Sequence, residues 1–380
     1  MSLIVDEHRQ YLSDRNRLDA YARAIAELVR PEAVVVDLGA GTGILGLLAC
    51  RAGASRVYCI EQTSLIGLTR EIAQANGFAG RIRFIKELST EAQLPERADL
   101  VLADQIGQFG FDAGVFEYFS DAHRRFLKPG GTLLPSRIDL VVAPVEHEEQ
   151  WRNVDFWNGS PAGFDFRPAR KLAVNTGYPL KFQPQQLLAQ PATIASLDTG
   201  LCPESFSGLA AVMRVNRTGT LHGIGGWFSA RLSPGVTMSN GPLDSKPIGR
   251  RNVFFPIDRP MTVAAGDSVH LAMNIQPRDT VVAWTVEIHA KGAGVPQARF
   301  AHSTFQGMLL AQEDLHTARP GFVPTLTPRG EARRSILELC DGKTSVDAIE
   351  REVYRRHAPL FSSSNEVAVF VAEVVSRYTQ

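Results

Sequence analysis

Two short stretches carry the residue types that could do chemistry. The first is VVVDLGAGTGIL, Val34 to Leu45: a β-branched run, an acid at Asp37, then Gly39, Gly41 and Gly43 before an apolar helix start. Glycines let a backbone turn tightly and let a ligand approach it closely. The spacing is GxGxG rather than GxGxxG, which disfavours a pyrophosphate grip. Glu61 closes the next apolar strand, RVYCIE, where a carboxylate can accept hydrogen bonds from both hydroxyls of a ribose. One acid after the first strand and one ending the second suit a nucleoside that carries methionine, S-adenosylmethionine (SAM). NAD is the second candidate ligand, and a Rossmann-like turn that binds nothing is the third.

The second stretch is LVLADQIGQFGFDAGVFEYF, Leu100 to Phe119. An apolar strand ends at Asp104, a glycine-rich loop follows, and a helix begins. A single carboxylate facing a methyl donor can take a proton from an amine or hydroxyl, or hold a cationic nucleophile. Displacement at a methyl group asks mainly for alignment, so a weak base suffices. The plainer reading of Asp104 is an acid that caps the loop after its strand.

These residues need elements to hold them, and the pattern divides the chain into four segments. Residues 1–30 contain one amphipathic helix, RLDAYARAIAELV. In residues 31–135, apolar strands alternate with helical patterns, which predicts a doubly wound parallel sheet. Residues 136–298 are richer in Gly and Pro and carry period-2 runs such as RIDLVVAPV, VHLAMNIQ and VVAWTVEIHA, which predict an antiparallel β-barrel or sandwich. Residues 299–380 are helical again, with Ser345 as an expected N-cap. The fold class expected is α/β plus β: a Rossmann-like sheet, then an antiparallel β-barrel, then a small mainly helical domain.

Composition excludes some classes. The 380 residues hold 40 basic and 40 acidic side chains, so net charge offers nothing to a polyanion and no nucleic-acid partner is expected. No apolar run is long enough for a membrane span, and the charged N-terminal stretch is not a signal peptide. Cys50, Cys59, Cys202 and Cys340 form no CxxC, so buried thiols in a reducing cytoplasm are expected, with no metal site. His123, Trp227 and Trp284 read as an exposed helix residue and two core residues. Arg250-Arg251 read as a solvated strand end, or as a pair facing an acidic substrate.

Asp37, the three glycines and Glu61 resemble the cofactor motifs of class I SAM-dependent methyltransferases. HRQYLSDRNRLDAY, with His8, Leu12, Asp14, Arg17 and Tyr21, resembles the N-terminal segment of the protein arginine methyltransferases. The resemblance extends through RFLKPGGTLLPSRIDLVVAPVE and NVFFPIDRPMTVAAGDSV, over roughly the first three segments. It implies that Arg17 grips the SAM carboxylate with its bidentate fork, that His8 lies near the cofactor and that Ser89 joins the cofactor residues. It also implies a β-barrel fused to the SAM domain and a homodimer made through an arm, for which RKLAVNTGYPLKFQPQQLLAQP is the counterpart; a plain loop is the alternative.

That family clamps its substrate guanidinium between two glutamates in the loop after the fourth strand. Here the first position is Asp104 and the second is Ala113; Asp112 and Glu117 lie nearby. A Thr-His-Trp segment of the family corresponds to Pro247-Ile248-Gly249. A guanidinium keeps its charge, so burying it needs acids that this loop lacks. The resemblance therefore implies the SAM fold more firmly than it implies arginine as acceptor.

LTPRGEARRSILELCDGKTSVDAIEREVYRRH resembles the PqqD-like peptide-recognition domains, through Ile336, Leu339, Cys340, Asp341, Gly342, Val346 and Ile349. That resemblance implies a small sheet ahead of the helices and a leader peptide added as an edge strand; a helical cap is the alternative. The expected activity is SN2 methyl transfer from SAM to a peptide, a protein or another nucleophile. A small-molecule N- or O-methyltransferase is the alternative, and so is a SAM-binding regulatory module without catalysis.

Overall fold

The computed structural model describes residues 4–309 and 311–379, apart from the side chains of Ile4 and Gln312. Two helices open the chain, α1 (Ile4–Ser13) and α2 (Arg15–Leu28), where the sequence predicted one. The break is Asp14, whose carboxylate accepts the Arg17 N–H and caps α2. Next come β1 (Val34–Leu38), α3 (Ile44–Arg51), β2 (Arg56–Ile60), α4 (Leu65–Ala75), β3 (Ile82–Ile85), β4 (Ala98–Leu102), α5 (Val115–Arg125) and β5 (Leu127–Leu134). They form a parallel sheet in the order β3-β2-β1-β4-β5. Every residue of β1 is buried, as expected of a parallel strand covered on both faces. The chain runs outward in one direction from β1 to β2 and in the other from β1 to β4. The crevice at the carboxyl ends of β1 and β4 is thus the switch point where such sheets bind ligands.

The β-rich part contains β6 (Arg137–Val145), α6 (Glu148–Asp155), α7 (Arg167–Val174), β7 (Tyr178–Leu180), β8 (Ala192–Asp198), β9 (Phe206–Arg214), β10 (Gly219–Ser233), β11 (Val236–Ser239), β12 (Asn252–Val263), β13 (Ser268–Gln276), β14 (Val281–His289) and β15 (Ala298–Ser303). One antiparallel sheet runs β7-β12-β10-β6-β8 with β11 on β10, and the other runs β15-β14-β13-β9. Strand β8 adjoins β9 and β12 adjoins β15, which closes the two sheets into a barrel. Trp227 and Trp284 are core residues. The segment read as a dimerisation arm is here α7 and β7. It lies on its own barrel, with Ala173, Val174, Phe182 and Leu187 packed against Trp227 and Phe254.

Two contacts fix the barrel against the parallel sheet. Glu27 of α2 accepts the Ser233 hydroxyl at 2.6 Å and the Gly235 N–H at 3.2 Å. The loop after β4 inserts Phe109 and Phe111, both buried, with Phe109 5.6 Å from the Phe255 ring. Each such ring stabilises the contact by roughly 1.5–3 kcal/mol. Gly110 lets the loop come this close: its φ is +98°, and a Cβ there would lie 2.8 Å from Ile138 and Leu140.

The chain forms two compact units, 1–308 and 309–380, and β15 carries the barrel past residue 298. The second unit contains α8 (Gln312–Thr317), α9 (Pro328–Leu339), α10 (Val346–His357) and α11 (Ser364–Tyr378). Its own core joins Ala332 and Ile336 to Ile349, Val353, Phe370 and Val371. Ser345 caps α10, as expected. The small sheet implied by the PqqD-like resemblance is not found among the described residues of this unit, where every element is helical.

Candidate functional site

The glycine loop after β1 takes the conformation its composition demands. Gly39, Gly41 and Gly43 have φ of +61°, +56° and +79°, which side chains of L-residues rarely adopt. The loop also leaves no room for one: a Cβ on Gly41 would lie 2.5 Å from His8 Cε1. His8 of α1 therefore covers this loop. Asp37 turns one oxygen to the Gly46 N–H at 2.8 Å, anchoring α3 to β1. Burial pushes its carboxyl up to about 7, partly offset by that N–H, with Glu61 and Asp104 adding to the rise. Glu61 accepts the N–H groups of Gly41 at 3.2 Å and Thr63 at 2.8 Å. Each carboxylate oxygen accepts more than one bond, so both acids keep capacity for a ligand.

A cavity of about 220 Å³ lies along this loop, bounded by His8, Arg17, Asp37, Gly39, Gly41 and Asp104 among others. Glu61 stands behind Gly41, and Gly43 turns toward Thr69; neither is on the cavity wall. Ser89 is also off the wall, its carbonyl accepting Arg125 Nη2 at 2.5 Å.

Asp104, at the end of β4, is the centre of a buried cluster. Its Oδ2 accepts Arg17 Nε at 2.5 Å and Arg250 Nη2 at 3.0 Å, and its Oδ1 accepts the Tyr21 hydroxyl at 3.0 Å. The side chains of Arg17, Asp104 and Arg250 are only 6%, 11% and 12% exposed. Burial pushes the Asp104 carboxyl up, but Arg250 and Arg17 outweigh it and hold the group below the usual range. The same burial, with Asp104 beside it, raises the Tyr21 phenol. Asp104 is thus a fixed anion rather than a free base.

Arg17 is not an exposed helix charge. Its Nη1 donates to the Tyr11 carbonyl at 2.9 Å, and its guanidinium lies 5.6 Å from the Tyr11 ring and 5.7 Å from that of Tyr21. Its Nη2 makes no hydrogen bond to the described residues and remains able to meet an anion.

A second cavity, of about 420 Å³, adjoins the first. The two share Tyr11, Arg17, Asp104 and Ala113. The second is closed by the loop after β4 and by Gly249, Arg250 and Arg251 ahead of β12. The two acids considered as replacements for a missing clamp residue differ. Asp112 lines the cavity, but its oxygens accept the N–H groups of Gln108 and Phe109 at 2.8–2.9 Å and shape the loop. Glu117 is exposed on α5 and touches neither cavity. The loop before β12 is strapped to α2: Asp14 accepts the Gly249 N–H at 2.6 Å, and Asn16 donates to the Pro247 carbonyl at 2.9 Å.

Arg250 is the residue whose place the sequence did not reveal. It reads as a solvated strand end, yet it is buried, held by Asp104 and the Gly107 carbonyl, with its guanidinium 6.0 Å from the Phe228 ring. The available signal was the Arg-Arg pair directly before a buried strand. His123 is exposed, as expected. Away from both cavities, His270, Glu287 and His289 group on one face of β13 and β14 with side chains of metal-binding type.

The chain is similar to known proteins in sequence and in fold. Residues 136–288 match the family model of the arginine methyltransferase oligomerization subdomain, and residues 21–140 match that of ribosomal protein L11 methyltransferase. Protein arginine N-methyltransferase 6 of Xenopus laevis is 28% identical over 295 residues, covering 72% of this chain and 85% of that one. Protein arginine N-methyltransferase PRMT10 of Arabidopsis thaliana is 25% identical over 301 residues, covering 70% and 78%. In fold, the chain is similar to the Trypanosoma brucei PRMT1 enzyme-prozyme heterotetrameric complex with AdoHcy. That match has a TM-score of 0.70 at 21% identity and covers 78% of this chain and 96% of the other. The crystal structure of Arabidopsis thaliana protein arginine methyltransferase 10 gives a TM-score of 0.68 at 22% identity, covering 78% and 97%.

Proposed function

We propose that the chain is an arginine-methyltransferase-like, SAM-dependent methyltransferase, which its similarity to such enzymes supports, and that it methylates a peptide or protein acceptor held in the larger of the two cavities. The observation that carries this reading is the shared wall: the cavity along the glycine loop, read as the donor site, and the larger one, read as the acceptor site, have Tyr11, Arg17, Asp104 and Ala113 in common. When bound, SAM supplies an electrophilic methyl group. The chain's own residues do the rest. Gly39 and Gly41 line the donor cavity, and Arg17 offers Nη2 to the carboxylate of the ligand. His8 of α1 covers Gly41, and Asp104 fixes the two arginines.

No helix is long and apolar enough to cross a membrane, and the relatives' names point to protein acceptors. Pairing of two copies is the reading the matched oligomerization subdomain supports. The test is transfer of labelled methyl from SAM into an extract of the source cell lacking this gene, with Glu61→Ala as control. Label in the protein or peptide fraction with the wild type alone supports the reading. Label confined to small molecules replaces the acceptor class, and SAM binding without any transfer makes the chain a regulatory module.

A second reading keeps arginine as the acceptor, and the relatives' activity favours it. It requires Arg250 to leave Asp104 when substrate arrives, because one carboxylate cannot balance three buried guanidiniums.

A further inference from the structure

The acceptor cavity presents guanidinium donors without close partners, while each of its acids is already hydrogen-bonded within the chain. Three acids line it, and all have both oxygens engaged. Asp14 holds the N–H groups of Arg17 and Gly249, Asp112 holds those of Gln108 and Phe109, and Asp104 holds Arg17, Arg250 and Tyr21. On the other side, Arg250 Nη1 makes only a long contact to the Gly107 carbonyl at 3.4 Å. The exposed Arg251 side chain has no partner among the described residues. The corner where an incoming guanidinium would be clamped already holds the chain's own, and the second clamp position is Ala113. Three acids and three arginines line the cavity, so its charge balances. What is unequal is hydrogen bonding, since the acids are engaged while Arg251 and Arg250 Nη1 have donors left for an anionic acceptor.

We propose that the acceptor group is a carboxylate, bound by Arg250 and Arg251, and that the reaction is carboxyl O-methylation. This rests on the methyltransferase reading above. In the step, a lone pair on the carboxylate oxygen attacks the methyl carbon of SAM. The O–C bond forms as the C–S bond breaks, and the bonding pair leaves on sulfur, cancelling the sulfonium charge. The product is a neutral methyl ester, and no proton moves. The site fits that balance. Amines and guanidiniums must shed a proton to a base, and Asp104 is a paired anion that cannot readily take one. A carboxylate arrives already deprotonated. Loss of its charge on methylation also weakens its hold on the arginines, which favours release of the ester.

The test uses the full chain, labelled SAM and two pools of peptides. One pool carries Asp, Glu and free C-termini without Arg or Lys; the other carries Arg and Lys with every carboxyl blocked. Label is expected in the acidic pool, and mild alkali should release it as volatile methanol. Arg250→Ala should raise the KM for that pool by about tenfold to a hundredfold, since charge-assisted hydrogen bonds are lost. SAM affinity by calorimetry should change little. Arg250→Lys, which keeps the charge, should fall between the two and guards against a variant that fails to fold. A second readout is binding of N-acetylglutamate amide to the AdoHcy-loaded protein, expected for the wild type and lost in Arg250→Ala. Alkali-stable label in the Arg and Lys pool overturns the carboxylate assignment while leaving a methyltransferase. Absence of label in both pools and of probe binding, with SAM bound, overturns it too. Absence of SAM binding removes the reading beneath it.

Discussion

Replacing Asp104 by Ala tests the buried cluster on which the site is built. The carboxylate accepts two guanidinium contacts, at 2.5 and 3.0 Å, and one phenol contact at 3.0 Å. Charge-assisted hydrogen bonds contribute about 1.5–3 kcal/mol each, so the two guanidinium contacts account for about 3–6 kcal/mol. Stripping one partner from a buried ion pair costs about 3–5 kcal/mol, in the same range. The cost is high because Arg17 and Arg250 stay buried with like charges facing each other. Burial raises the Asp104 carboxyl, but the arginines hold it below its ordinary value in the folded state. Its contribution is therefore fully present above the unfolded pKa of about 3.9 and is lost as pH falls through the folded value. At pH 7 the whole effect should be measurable. The assay is denaturant unfolding without SAM, followed by tryptophan fluorescence. Trp151, Trp157, Trp227 and Trp284 all lie in the first compact unit, so the C-terminal helices are silent. A double-mutant cycle with Arg250→Ala should show coupling of about 1.5 kcal/mol or more, with the double variant less unstable than additivity predicts. An Asp104→Ala cost below about 1 kcal/mol, or an additive cycle, would refute the cluster.

Other variants probe separate parts. Gly41→Ala places a Cβ against His8 at a φ of +56°, and SAM affinity by calorimetry should fall by at least about tenfold. Arg17→Ala should weaken SAM binding by about tenfold to a hundredfold, with a smaller loss for a ligand lacking the carboxylate. The Asp37 carboxyl, pushed up from 3.8 to about 7, holds its proton more tightly in the folded state. Wild-type stability should therefore decline between about pH 4 and pH 7 from this group. Asp37→Asn should flatten that slope, with a relative gain on the order of 2 kcal/mol at pH 8 in denaturant titrations. Ile336→Ala empties part of the α9–α10–α11 core. It should cost the second unit about 2–5 kcal/mol by circular dichroism while the tryptophan transition stays put.

Much of this architecture was legible in the sequence. The run VVVDL is wholly buried because parallel strands are covered on both faces, and such runs are visible without a structure. The glycines at 39, 41 and 43 announce their positive φ by residue type alone. The alternating runs of β13 and β14 did form barrel strands, because period two maps directly onto the two faces of a sheet. Helix α1 was missed, because IVDEHRQYLS is mostly polar and its Val5, Tyr11 and Leu12 are exposed, so no apolar stripe marks it. The sheet expected ahead of α9 is not among the described residues of its unit, since a short motif fixes the helices it lies in and not their neighbours.

The sequence by itself determined the parallel sheet, its glycine loop, the barrel strands and the terminal helices. Each is encoded locally, in period, turn chemistry and caps. What only the tertiary structure decided is which charges meet. Arg17 from α2, Asp104 after β4 and Arg250 before β12 are separated by 87 and 146 residues along the chain. No local pattern says that they share one buried corner. The physical reason is that Coulomb energy depends on distance in space and on burial, and both are fixed only when the sheet and the barrel close on each other.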